Sequence, residues 1–173
     1  MDQTQFLIQH LTEGKSYEEI SRANDIPRTK LTEWWETGID IRARIKRSND
    51  AFNSRVNNTD FAFFKEKGKR FFFEWYDKQE RKCAYCGIEE WKLEKLFDFE
   101  KGILDTKRGR GRKLELERRD AKTNQYTPDN SLLACYLCNN HKSDLISEDD
   151  HIKYFAKPIR EYLEEKYSQM DNG

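Results

Sequence analysis

The sequence predicts an α+β protein, mostly helical, in which N-terminal helix-turn-helix-like helices precede a small strand-strand-helix unit stapled by a metal. Three observations carry that reading. Apolar residues recur at helical spacing through residues 1–36 and again after residue 60. Two short segments, Lys113-Leu-Glu-Leu-Glu117 and Ser131-Leu-Leu-Ala-Cys135, read as strands instead. The four cysteines fall in two CxxC pairs with none left over.

Composition limits what can be built. Hydrophobic residues make up 36% of the 173 and charged residues 37%. A single large core is therefore not expected, whereas small cores reinforced by a metal are. The formal net charge is zero, so any affinity for a polyanion must come from where charges lie rather than from their sum. No apolar run is long enough to span a bilayer. The opening stretch MDQTQFLIQHLTEG is acidic at Asp2 and too short in apolar residues for a signal peptide. A soluble cytoplasmic protein without a membrane partner is the expectation.

The elements follow in order. Phe6, Leu7 and Ile8 belong to a first short helix ending near Gly14. Ser16 and Glu19 make a capping box for a second helix, with Ile20 and Ala23 on one face. Asn24-Asp25-Ile26-Pro27 is the turn, and a third helix follows with Leu31, Trp34 and Trp35 as its apolar stripe. The segment SYEEISRANDIPRTKLTEWW resembles a helix-turn-helix, with Ala23 at the close approach and Ile26 plugging the turn. Arg28, Thr29, Lys30, Thr32 and Glu33 then line the exposed face of the third helix, where side chains reach phosphates or base edges. A plain helical bundle satisfies the same pattern. Residues 37–58, with Arg42, Arg44, Lys46, Arg47 and Arg55 among Asn and Ser, read as a solvated connector or one that tracks a DNA backbone. Thr59 or Asp60 caps a longer helix over about 60–81, with Phe61, Phe64, Phe71, Phe72 and Trp75 as core. The domain expectation is a helix-turn-helix-like unit with a basic linker over 1–58 and a zinc-containing unit over 59–173.

Cys83-Ala-Tyr-Cys86-Gly and Cys135-Tyr-Leu-Cys138 are two knuckles. Each CxxC turn aims two thiolates at one ion, and two turns complete a tetrahedron, so one structural zinc is expected on Cys83, Cys86, Cys135 and Cys138. The insert over residues 87–134 is too long for a simple ribbon. It holds the basic, glycine-bearing stretch TKRGRGRK, in which Lys107, Arg108, Arg110 and Arg112 are either a solvated flexible loop or a DNA-groove contact. Leu114 and Leu116 share one strand face, and Glu115 and Glu117 share the other. A loop, RRDAKTNQYTPDN, leads to the second strand, and Asn139 is expected to open a helix, NNHKSDL. Further on, Ser147 with Asp150 caps another helix, Pro158 restarts one, and Ile152, Phe155, Ile159 and Leu163 are expected to cover the zinc core.

This order of strand, loop, strand, knuckle and helix resembles the HNH (ββα-metal) endonucleases, and within them the PacI-type HNH restriction endonucleases, over about residues 82–160. The resemblance implies a zinc-stapled ββα-metal nuclease domain. It implies that Glu117 and Asn139 together hold one Mg²⁺, which Mn²⁺ can replace, against the scissile phosphate. Most HNH enzymes place an Asp-His pair at the strand end, the His being the general base, whereas this chain has Glu117-Arg118. In the PacI-type enzymes an Arg takes that place and a loop Tyr takes part in catalysis, which points to Arg118 and Tyr126 here. Asp120 is an alternative base, a second metal ligand, or a turn residue. His10, His141 and His151 all lie away from the base position. The expected activity is site-specific cleavage of double-stranded DNA, type II restriction-like, by a homodimer. A free-standing homing or phage HNH enzyme and a non-catalytic zinc-containing DNA-binding regulator are the other readings.

Overall fold

The computed structural model describes residues 1–171. Asp2 caps α1 (Gln3–Glu13) in a capping box with Gln5, and Gly14 ends it at φ 74°, where a Cβ would be strained. Ser16 and Glu19 cap α2 (Tyr17–Asn24) reciprocally, at 3.2 Å and 2.7 Å. The turn to α3 (Arg28–Thr37) is tied by Ser21 Oγ donating to Ile26 O at 2.7 Å. Ile20 and Leu31 pack with Phe6, Leu7 and Ile8, and Ile26 lies against the same cluster. Ala23 is exposed, so the expected close approach of two helices at that residue is not made.

Residues 37–58 are not a linker. They form α4 (Ile39–Asn53), which buries Ile45, Ser48 and Phe52. Basic side chains of this helix have partners, while Arg44 and Lys46 stay exposed: Arg44 Nε donates to Asp77 at 2.8 Å and the Arg42 guanidinium lies 4.3 Å over Trp35. The expected helix over 60–81 is also altered. Asn58 leads into a 3₁₀ turn, Thr59–Phe61, and then α5 (Ala62–Tyr76). That helix is broken at Gly68, whose φ 83° and ψ 170° only glycine adopts readily. The kink lets Phe64 and Phe72 stack edge-on at 5.0 Å around Phe52 and Phe61, while Phe73 joins the α1–α3 core. Because α5 closes that core, the compact units divide at Lys78/Gln79, twenty residues beyond the 58/59 boundary the sequence suggested.

In the second unit Lys82 and Glu89 form an isolated bridge around the first knuckle. There follow α6 (Glu90–Leu96), β1 (Glu115–Arg118), β2 (Ser131–Ala134), α7 (Tyr136–Lys142), α8 (Glu148–His151), a π-helical segment Ile152–Ala156 and α9 (Lys157–Asp171). The strands pair antiparallel, with Glu115 opposite Ala134 and Arg118 opposite Ser131. Both are shorter than expected, because Leu114 N–H leaves the ladder and donates to the buried Glu90 Oε1 at 3.1 Å. The fold is thus mostly helical with one small two-stranded sheet among the described residues. Two further expectations fail. Cys135 caps α7, so Asn139 sits a turn inside that helix instead of opening it. Ile152 is 48% exposed rather than buried over the cysteines, whereas Leu163 is fully buried. No helix among the described residues is long and apolar enough to cross a membrane.

Candidate active site and metal centre

The four thiols Cys83, Cys86, Cys135 and Cys138 are buried, unbridged, and bring their sulfurs within 4.8 Å of one another. Zn–S bonds of about 2.3 Å in a tetrahedron imply sulfurs roughly 3.8 Å apart. Cys86 Sγ and Cys135 Sγ stand 3.8 Å apart, so the donor set fits a zinc ion. The knuckle backbone explains the placement. Gly87 N–H donates to Cys83 O at 2.8 Å, and Gly87 takes φ 74°. A Cβ there would come 2.5 Å from Arg160 Nη1, which itself donates to Cys86 O at 3.3 Å. Hydrogen bonds from the other three thiols hold the Cys83 thiol far below its usual pKa, while the Cys135 and Cys138 thiols are pushed up.

The face of β1 that meets α7 gathers the charged groups. Glu115 and Glu117 share it, as residues two apart on a strand must. Asn139 and Lys142, three apart on one turn of α7, reach them from the helix. Asn139 Nδ2 donates to Glu115 Oε2 at 2.7 Å. Lys142 Nζ donates to Glu117 Oε1 at 3.2 Å and to Arg118 O at 2.9 Å. Glu117 is 7% exposed and Lys142 only 1%. The direct partner of Asn139 is therefore Glu115, and that of Glu117 is Lys142. Two carboxylates and an amide on one face are hard oxygen donors of the kind a divalent cation takes. With its Nδ2 held by Glu115, Asn139 keeps Oδ1 as the atom to offer such an ion.

Arg118 and Tyr126 come together: the guanidinium lies 5.1 Å over the Tyr126 ring. Tyr126 is buried, and Arg118 also donates to Asn124 Oδ1. The loop carrying them is braced by Asn130. Its Oδ1 accepts Asp120 N–H at 2.8 Å and its Nδ2 donates to Gln125 O at 2.7 Å. Asp120 Oδ1 accepts Lys122 N–H at 2.8 Å, a turn-residue role.

The residues expected to meet DNA divide. Arg28, Thr29, Lys30 and Arg108 are exposed, Lys30 pairing with its neighbour Glu33 at 2.9 Å. Arg110 forks onto Glu115, with Nε donating to Oε1 at 2.9 Å and a second nitrogen bonded to Oε2, and it lies 5.1 Å over Tyr136. That fork holds the Arg110 pKa up. Arg112 reaches Asp98 at 3.3 Å and covers Phe99 at 4.8 Å. His141 is exposed and packs 4.3 Å from Phe155. His151 is fully buried beside Tyr85 at 5.0 Å, and burial pushes its pKa down.

Sequence reasoning passed over Glu115, Lys142, Asn130 and the Arg110–Glu115 fork. Glu115 had a signal, since it shares a strand face with Glu117. The spacing of Lys142 from Asn139 by one helical turn was another.

No protein-family model matches the chain, and no curated protein matches it. Among solved structures the chain is similar to the rare-cutting HNH restriction endonuclease PacI, at 25% identity over 69% of this chain and 76% of that one, with a TM-score of 0.48.

Proposed function

We propose that the chain is a site-specific DNA endonuclease of HNH type, type II restriction-like, with a structural zinc on the four cysteines. It acts on double-stranded DNA as a homodimer, so that both strands are cut. The observation that supports this above others is the β1–α7 face beside Arg118, where Asn139 bonds the half-buried Glu115 and the buried Glu117 pairs with Lys142. A non-catalytic zinc scaffold has no need of a buried carboxylate and ammonium beside a second carboxylate and an amide, because burying charged groups costs stability.

Glu117 and Asn139 Oδ1 are the groups that would hold one Mg²⁺ or Mn²⁺, which on binding neutralises charge at the scissile phosphate. Glu115 fixes the Asn139 amide so that its oxygen faces away from Glu115. Lys142 compensates the Glu117 charge in the folded protein. Arg118, with its planar fork of donors, is suited to the charge that develops on the phosphorane oxygens. Tyr126, packed under that guanidinium, orients the attacking water. A tyrosine hydroxyl ordinarily gives up its proton only near pH ~10 and so is a weak base by itself. In the N-terminal unit, α2, its turn and α3 act as a helix-turn-helix that presents Arg28, Thr29 and Lys30 to DNA, and Arg108 adds a phosphate contact.

The test is incubation of the purified protein with mixed-sequence DNA and Mg²⁺. Discrete fragments are expected, and Glu117→Gln, assayed at a temperature where circular dichroism shows it folded, should abolish them while still binding DNA. Wild-type cutting by Glu117→Gln refutes the assigned metal site. DNA binding by the wild type without any cleavage favours the regulator reading instead.

A further inference from the structure

The stretch between α6 and β1 carries Phe99 in the open, at 71% exposure, with Ile103 at 47%. The flexible basic loop expected from its glycines is instead ordered by its own hydrogen bonds. Thr106 Oγ1 accepts Arg110 N–H at 2.6 Å and donates to Arg110 O at 2.8 Å. Asp98 Oδ1 accepts the N–H groups of Glu100 and Lys101 at 3.1 Å, and Leu104 N–H donates to Leu96 O at 3.0 Å. Arg112 lies 4.8 Å over the Phe99 ring while reaching Asp98. A side chain at Gly109 would press to 3.2 Å of the ring edge. Phe99 is thus held outward by a fixed backbone, at a place where an apolar ring gains nothing from water.

Its surroundings say what it meets. Phe99, Arg112, Lys113 and Glu115 line one open cleft of about 550 Å³. Glu115 is also the residue that holds Asn139, so the ring shares a cleft with the proposed chemistry. Between residues 97 and 113, Lys101, Lys107, Arg108, Arg110, Arg112 and Lys113 outnumber Asp98, Glu100 and Asp105. An exposed aromatic among cations fits a nucleic acid, whose phosphates take the cations and whose bases offer π-faces.

We propose that Phe99 stacks on a nucleobase beside the cleaved step, a specificity-determining contact that rests on the endonuclease reading. In an intact duplex both faces of a base are covered by its neighbours. An outside ring reaches one only by wedging into a step or by receiving an unstacked base. The ligand is therefore DNA opened locally at the cut, with Arg112 steadying the ring from its other side.

The test starts from cut sites mapped by sequencing the ends of digested plasmid DNA. Duplexes carrying 2-aminopurine at positions flanking the cut are then bound with Ca²⁺ in place of Mg²⁺. The wild type should raise the fluorescence at one position. Phe99→Ala should lose that rise and bind roughly tenfold more weakly, and Phe99→Trp should keep both. Phe99 is exposed, so circular dichroism of Phe99→Ala should match the wild type. A Phe99→Ala protein that binds, cuts and brightens the probe like the wild type overturns the proposal. So does weaker binding with an unchanged fluorescence rise, which would make Phe99 a prop for the basic stretch. If the wild type neither binds nor cuts DNA, the endonuclease reading fails first and this one with it.

Discussion

Lys142 is the residue whose replacement tests the β1–α7 face most directly. It is 1% exposed, and its ammonium contacts Glu117 Oε1 at 3.2 Å and Arg118 O at 2.9 Å. Lys142→Met keeps most of the side-chain volume and removes the charge. Glu117, only 7% exposed, is then left as a buried carboxylate without this partner, at a cost of roughly 3–5 kcal/mol. For a unit of this size that lowers the unfolding midpoint by about 12 °C or more. Glu117→Gln alone takes away the ammonium's counter-charge, leaving its bond to Arg118 O, and is also expected to destabilise. The double variant Glu117→Gln/Lys142→Met removes both charges, and its loss should fall well short of the sum of the single losses. The cation proposed on Glu117 would restore the missing charge, so Mg²⁺ should stabilise Lys142→Met by about 2.7 kcal/mol at a hundredfold excess over its Kd, and stabilise the wild type less at the same concentration. Urea denaturation with and without Mg²⁺ reads all four proteins. A loss under about 1 kcal/mol for Lys142→Met, or single losses that simply add, would refute the claim that this pair is a buried, mutually dependent charge set.

Two further outcomes follow from the same unit. Cys86→Ser should remove one of four ligands, abolish stoichiometric zinc on elemental analysis and unfold the second unit, because binding energy at such a site is folding energy; a folded variant, or a folded wild type without zinc, counts against the metal centre. His151 is held neutral chiefly by burial, with His141 and Lys142 adding to the effect, so its folded pKa lies below the usual 6.5 or so. The unfolded chain then binds the extra proton first, stability is full above about pH 6.5, and it falls as pH drops below that value towards the folded pKa. His151→Phe should flatten the wild-type loss of stability between pH 7 and 5, and an unchanged slope would show that His151 does not cause it.

What the sequence discloses here is what is set locally. Capping boxes span three residues, strand alternation spans two, and a CxxC turn aims both sulfurs by itself, so α1, α2, the hairpin faces and the cysteine cluster are all legible. What stays hidden depends on partners far along the chain or on the phase of a neighbouring element. In α4 the buried residues are Ile45, Ser48 and Phe52, a set with a hydroxyl in its middle and four basic residues around it. Its pattern reads as solvated until the α1 and α5 aromatics are in place. Gly68 gives no sign in the sequence of whether it is tolerated in a helix or breaks it; the packing of Phe64 and Phe72 around Phe61 decides. Arg110 and Arg112 look like free cations, and only the folded stretch shows their carboxylate partners.

The two acidic residues of β1 show how far such phase effects reach. Glu115 and Glu117 are equivalent by strand period, so nothing in the hairpin says which meets Asn139. That is settled by α7, whose register depends on where it starts. Cys135 caps it and Cys138 lies in its first turn, so the two sulfurs of the second knuckle fix the start and the rotation of the helix together. Asn139 then projects towards Glu115 and Lys142, one turn on, towards Glu117. One residue of slip would swing each side chain by about 100° and dissolve both contacts. The second cysteine knuckle thereby sets the proposed chemistry although no cysteine touches it, and the amide, the two carboxylates and the buried ammonium form one arrangement rather than four separate choices.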